Sequence, residues 1–186
     1  MVEKGKMPPS VHEFALRDMA FSTSEAFSLA RHQPGRETSG YVFFPGCQLS
    51  ASSPGQVFQI YEHLQQSIGG GVGLILGCCG APAEWAGREE IFKDTIGLVR
   101  EQWEELGSPK VITACSSCYR MFKGHAPAMP VESLWTVLDR VGLPPSAARQ
   151  ALPWLPFTIP APPGTKTTFR TRFATCWASS ECRSLS

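Results

Sequence analysis

The chain has 186 residues, 42% of them hydrophobic, and a formal net charge of +1. That is enough to bury one core with a small appendage, and the near-zero charge, with no run of like charges, gives no electrostatic ground for nucleic acid or a membrane surface. No segment approaches the roughly eighteen consecutive apolar residues of a membrane span, and Met1-Val2-Glu3-Lys4 runs into Pro8-Pro9 rather than an apolar signal core. A cytoplasmic protein without a transmembrane segment is expected, and in that reducing compartment seven cysteines are ligands or redox groups sooner than disulfides.

The first forty residues are expected to form a helical extension of two short helices. Ser10-Val11-His12-Glu13 and Ser22-Thr23-Ser24-Glu25 both fit the capping box, in which a hydroxyl and a carboxylate satisfy the free amides of a helix start. His12 and His32 lie here without a cysteine or acidic cluster at ligand spacing and read as solvated or capping side chains.

Tyr41-Val42-Phe43-Phe44 is aromatic and β-branched without alternation, as in a strand buried on both faces, and Pro45-Gly46 stops it before Cys47. Ser53-Pro54-Gly55-Gln56 then starts a helix whose Val57, Ile60, Tyr61, Leu64 and Ile68 form one apolar face. Gly69-Gly70-Gly71 closes it; with no lysine and helix behind it, this is a turn and not a phosphate loop. Val72 to Leu76 is the next strand, ending at Gly77-Cys78-Cys79-Gly80.

A helix from near Arg88 carries Phe92, Ile96, Val99, Trp103 and Leu106 on one face, with Glu89 and Glu90 at its positive end and Gly107 as its stop. Lys110 to Ala114 makes a third strand, and Cys115-Ser116-Ser117-Cys118 leads into a short helix through about Lys123. A last helix, Val131 to Val141, is expected to bury Leu134, Trp135, Leu138 and Val141. Trp85 and Trp103 read as packing residues, and His63 and His125 as surface or loop side chains.

Strands alternating with helices predict an α/β fold, a small parallel sheet with right-handed crossovers. Ligands of such sheets bind beyond the carboxyl ends of the strands, where all three cysteine packets fall, so Cys47, Cys78, Cys79, Cys115 and Cys118 are expected to converge. A tetrahedral zinc site usually draws its four thiolates from two CxxC knuckles, and only one is present. A polynuclear iron–sulfur centre accepts thiolates from more directions, and Ser116, Ser117 and the helix-start amides are placed to donate hydrogen bonds to its sulfides. Two alternatives stay open. Zinc would make this a structural or interaction module, and Cys115 with Cys118 at a helix start would suit a dithiol oxidoreductase.

The order Cys47, Cys78-Cys79-Gly80, Cys115-Ser116-Ser117-Cys118, headed by Phe43-Phe44-Pro45-Gly46, resembles the cysteine-rich CCG domain. That domain occurs in heterodisulfide reductase and in iron–sulfur subunits of glycolate, lactate and glycerol-3-phosphate oxidising enzymes. The resemblance covers about Tyr41 to Gly142 and sets domain expectations of 1–40 for the extension, 41–143 for the CCG-type domain and 144–186 for a Pro-rich linker and tail. It implies an iron–sulfur cluster of 4Fe–4S type, noncubane in some members, with all five cysteines as ligands. The implied role is electron transfer or disulfide reduction beside redox partner subunits, flavoprotein or ferredoxin-like. Many members carry two such motifs where this chain has one, so a centre built at the junction of two motifs is not completed by this chain, and its standing as an enzyme is open. No flavin or nicotinamide motif is present, which puts electron donor, acceptor and substrate on partners.

After Asp139 no acidic residue occurs until Glu181, and prolines, then threonines and arginines, accumulate, as in a linker with a disordered tail. Shifting the codons by one base from Phe157 onward is compatible, through permitted synonymous codons, with VHDPCPARDEDDVQDSVRDLLG, which resembles the HDPC opening of a second motif of the same family. The tail is therefore expected to be an out-of-frame product, with Cys176 and Cys182 accidental. Resequencing the gene should recover HDPC in the alternative frame; its absence there removes the frameshift and leaves the linker.

Overall fold

The computed structural model describes residues 12–144. The chain divides into a unit ending at Val141 and a second beginning at Gly142, of which residues 142–144 are described. The proposed cap at Ser10 and the expectations for the tail fall outside the described residues.

The first helix, α1, spans Glu13–Ser22. The second expected helix does not form. Ser22, Thr23 and Ser24 turn their hydroxyls backward, Ser22 Oγ donating to Asp18 O at 2.8 Å, Thr23 Oγ1 to Met19 O at 3.0 Å and Ser24 Oγ to Phe21 O at 2.7 Å. A hydroxyl beside a helix boundary can serve the amides of the next helix or the last carbonyls of the previous one, and here the carbonyls win. The chain instead enters a short strand, β1 (Leu29–Arg31), so the N-terminal stretch is not purely helical.

The strand of Tyr41–Phe44, β2, is followed by a one-turn helix α2 (Cys47–Ser52) and by α3 (Pro54–Ser67). Pro54 takes the first turn of α3 as expected, but Ser53 makes no side-chain cap bond. Next come β3 (Val72–Leu76), the short α4 (Ala81–Ala86) and the long α5 (Glu89–Glu105). The chain continues through β4 (Lys110–Thr113), α6 (Ser116–His125), β5 (Val131–Ser133) and α7 (Leu134–Val141). Both α2 and α4 are too short to show a period in sequence.

The last expected helix is thus a strand and a helix. Val131–Ser133 pairs with β4, and the later helical start rotates the buried face of α7 to Leu134, Val137 and Leu138. Trp135, expected in the core, is 49% exposed, and Val141 is only half-buried. Trp85 is also half-exposed on α4, whereas Trp103 is buried and donates Nε1–H to Pro109 O at 2.7 Å. A buried indole needs that partner, and the loop after α5 supplies it.

Five strands form one sheet in the order β1-β3-β2-β4-β5, parallel except for β1 against β3. The register aligns Val42 with Val111, Phe44 with Thr113, and Val111 with Val131. Side chains alternate along strands, so Val42, Phe44, Ile75, Val111 and Val131 share one face, where they pack with α4, α5, α6 and Met19 of α1. Phe43, Val72 and Ile112 point to the other face, which α3 and α7 cover against β3 and β4.

Handedness explains this division. From β2 the chain steps outward to β3 through α3, then steps back past β2 to β4 through α4 and α5. Reversing direction while keeping crossovers right-handed moves the connection to the opposite face. The reversal leaves a crevice between the carboxyl ends of β2 and β4, the usual ligand position in such sheets.

Gly73, inside β3, lets β1 approach: a Cβ there would stand 2.7 Å from Arg31 O. Gly73→Ala is expected to destabilise the domain by about 1–3 kcal/mol through overpacking against backbone, read as a lower midpoint of thermal unfolding; an unchanged midpoint would show that β1 contributes nothing to stability.

Candidate thiol centre

Each cysteine packet sits on a turn from strand to helix. Cys47 follows β2 and opens α2; Cys78 and Cys79 follow β3, and Gly80 then caps α4; Cys115 is the N-cap of α6, with Cys118 in its first turn. Because β2 pairs in parallel with both β3 and β4, these three turns lie side by side. The five expected residues are therefore brought together. Cys78, Cys79 and Cys118 are buried, and Cys47 and Cys115 are half-buried at the rim.

The sulfurs form a chain of neighbours. Cys47 Sγ stands 3.4 Å from Cys78 Sγ. Cys78 touches Cys79, Cys79 bonds to Cys118 across the crevice, and Cys118 bonds to Cys115. Gly46 makes the crossing between β2 and β4 possible. With φ +88, it occupies backbone space that side-chain-bearing residues seldom adopt, and a Cβ there would lie 3.1 Å from Cys118 Sγ and 3.2 Å from Cys115 Cβ. In the sequence Gly46 reads as a strand stop; its close approach to the CxxC emerges only in three dimensions.

Backbone amides converge on the same sulfurs. The amides of Cys118 and Ser117 and the Ser117 hydroxyl donate to Cys115, the amide of Ala81 to Cys79, that of Gly80 to Cys78 and that of Gln48 to Cys47. Of the two serines expected to donate here, Ser117 does so, while Ser116 is exposed. Beneath this cup lies an apolar floor, where Phe44 and Phe122 meet edge to face with centroids 5.0 Å apart.

Five crowded thiols cannot ionise together, because like charges at this range raise one another's pKa. They divide instead. The Cys118 thiol, then the Cys78 thiol and the Ala81 amide, lower Cys79 from 9.0 to about 4. Cys118, followed by its own amide and that of Ser117, lowers Cys115 to about 5 against the opposing effect of burial. Cys78 receives a bond from Cys47 that favours ionisation, but Cys79 and burial outweigh it and push Cys78 up to about 12. Cys47 is held protonated by its contact with Cys78 and by burial, and Cys118 by Cys115 and Cys79. From Cys78 to Cys115 thiol and thiolate alternate along the chain of sulfurs, whereas Cys47 and Cys78 are both thiols. Among the described residues no group of three or more His, Cys, Asp and Glu side chains is disposed, as it stands, to hold a metal ion.

The histidines lie elsewhere. His125 ends α6 and sets its ring edge to face on Phe92, 4.7 Å between centroids, and His63 approaches Ser67 on α3. A polar group that the sequence did not single out is buried two residues before the CxxC: Thr113, at the end of β4, is 1% exposed, and its Oγ1 has no hydrogen-bond partner. The available signal was one hydroxyl in an otherwise apolar strand end, two residues before the CxxC.

The fold is a doubly wound α/β sheet with five cysteines clustered at its switch point. Residues 41–123 match the family model of the CCG cysteine-rich domain, as a single match. No curated protein and no solved structure matches the chain.

A thiol whose folded pKa lies below its unfolded value adds stability that is complete above the unfolded value and lost as pH falls through the folded one. For Cys115 that window runs from 9.0 down to about 5. In reduced, metal-free protein, iodoacetamide should alkylate rim-exposed Cys115 with a rate half-maximal near pH 5, as followed by peptide mass mapping. A midpoint near 9 would mean that Cys118 and the α6 amides do not hold the thiolate.

Proposed function

We propose that this chain is an iron–sulfur cluster-binding redox domain acting in electron transfer or disulfide reduction within an oxidoreductase complex. The observation that carries the reading is the unbroken run of sulfur neighbours Cys47, Cys78, Cys79, Cys118 and Cys115 across three strand ends. Five donors exceed the four positions of one tetrahedral zinc, and a dithiol mechanism would leave Cys47, Cys78 and Cys79 without a role. Thiolates of this number suit a polynuclear centre of soft character. CCG domains are typical of iron–sulfur redox proteins, which agrees with the donor set.

The residues fit such a group electrostatically. Three of the five thiols keep their protons because neighbouring sulfurs and burial disfavour further negative charge, and a cationic iron centre would let all five ionise. When bound, a cluster supplies a site that accepts and releases single electrons. The chain contributes the amides of Gln48, Gly80, Ala81, Ser117 and Cys118, which stabilise negative charge on sulfur, and the Phe44–Phe122 floor, which keeps water from the inner side. Cys47 and Cys115 form the half-exposed rim where a redox partner, flavoprotein or ferredoxin-like, would approach. No helix among the described residues is long and apolar enough to cross a membrane, and the cytoplasm is the proposed compartment.

Iron, sulfide and zinc per chain, with the visible spectrum, test this on protein purified and reconstituted without oxygen. About four iron and four sulfide per chain are expected for a 4Fe–4S centre. Cys79→Ser and Cys115→Ser should each lose most of that iron. Zinc near one per chain with no visible band would instead make the domain structural.

A further inference from the structure

Thr113 is one of four residues, with His32, Tyr61 and Arg88, whose buried polar side-chain atom has no hydrogen-bond partner among the described residues, and it is the one at the end of a strand that leads into a cysteine packet. It ends β4 at 1% exposure, and its Oγ1 meets no acceptor. The register pairs it with Phe44 on one side and Ser133 on the other, so its side chain shares the sheet face of Phe44, Val111 and Val131. That is the face on which Cys78, Cys79 and Cys118 are buried.

The direction of α6 brings the two together. Since β4 and β5 are parallel, the intervening helix must carry the chain back along the sheet, and its first turn lies over the carboxyl ends of β2 and β4. Cys118 and Phe122 are one turn apart on the same face of α6, and Phe122 meets Phe44, the ladder partner of Thr113. Thr113 therefore stands at the sheet end under the turn that holds Cys118. A buried hydroxyl with no partner destabilises the domain that carries it, and such a group is satisfied when an acceptor arrives with a ligand.

We propose that Thr113 donates its hydroxyl hydrogen to a sulfur of the centre held by the five cysteines and thereby raises the reduction potential of that centre. The inference rests on the iron–sulfur reading above. A hydrogen bond to sulfur stabilises the more negative, reduced state, so removing it lowers the potential. Thr113 acts through the centre's sulfur and takes no part in ligation.

The test compares Thr113→Val and Thr113→Ser with the full-length wild type, each reconstituted without oxygen. Iron and sulfide content is measured first, then the potential by spectroscopic redox titration, then the unfolding midpoint of the metal-free forms. Expected are full loading in all three, a potential shifted negative in Thr113→Val, and the wild-type potential in Thr113→Ser. The metal-free Thr113→Val should unfold at or above the wild-type temperature, because it removes an unsatisfied hydroxyl. A fully loaded Thr113→Val with unchanged potential overturns the assignment alone, as does a metal-free Thr113→Val of lowered midpoint, which would reveal a protein acceptor. Wild type that takes up no iron overturns the cluster reading and this assignment with it.

Discussion

The thiol centre depends on β2 pairing in parallel with two strands at once. Parallel neighbours end at the same side of a sheet, so the turns that follow β2, β3 and β4 are forced together whatever their separation in sequence. A slip of β2 by one residue would turn Phe44 from the cysteine face to the opposite one and replace it with Phe43. The apolar face therefore holds the register, and the register holds the sulfurs. Reversal of the chain's direction at β2 then opens the crevice between β2 and β4, which Gly46 allows to be narrow.

Burial and charge oppose each other at this site. Packing three thiols away from water favours their neutral forms, while amides from three strand-to-helix turns favour thiolates. The outcome is a mixed protonation state in which Cys79 and Cys115 carry the charge and their neighbours donate to them. In such an arrangement, ionising the remaining thiols would cost least beside a positive charge. The Thr113 hydroxyl, buried without a partner at the end of β4, lies on the same sheet face.

The sheet edges are treated differently from the centre. On one side, antiparallel β1 covers β3, and Gly73 lets the two backbones approach. On the other, β5 carries Glu132, which pairs with Lys110 at 2.9 Å and Arg140 at 3.0 Å and whose carboxyl is lowered first by Arg140. The cationic partners are well exposed, so these pairs contribute little to stability. Charged side chains on a short edge strand disfavour its pairing with another chain.

Apolar runs and cysteine spacing determined much of this protein by themselves. The three central strands, the inward faces of α3 and α5 and the five converging cysteines were all legible, because strand and helix periods follow from local geometry. Local pattern could not choose among options of similar local energy. Ser22–Ser24 could have started one helix or ended another, and Val131–Ser133 could extend a helix or pair as a strand; only the free edges of β3 and β4 decided for strands, which also moved Trp135 out of the core. Tertiary structure alone set the order of the sulfurs, the division of their protons, the closeness of Gly46 and the isolation of the Thr113 hydroxyl. These are properties of distances between segments remote in sequence, and no local periodicity encodes them.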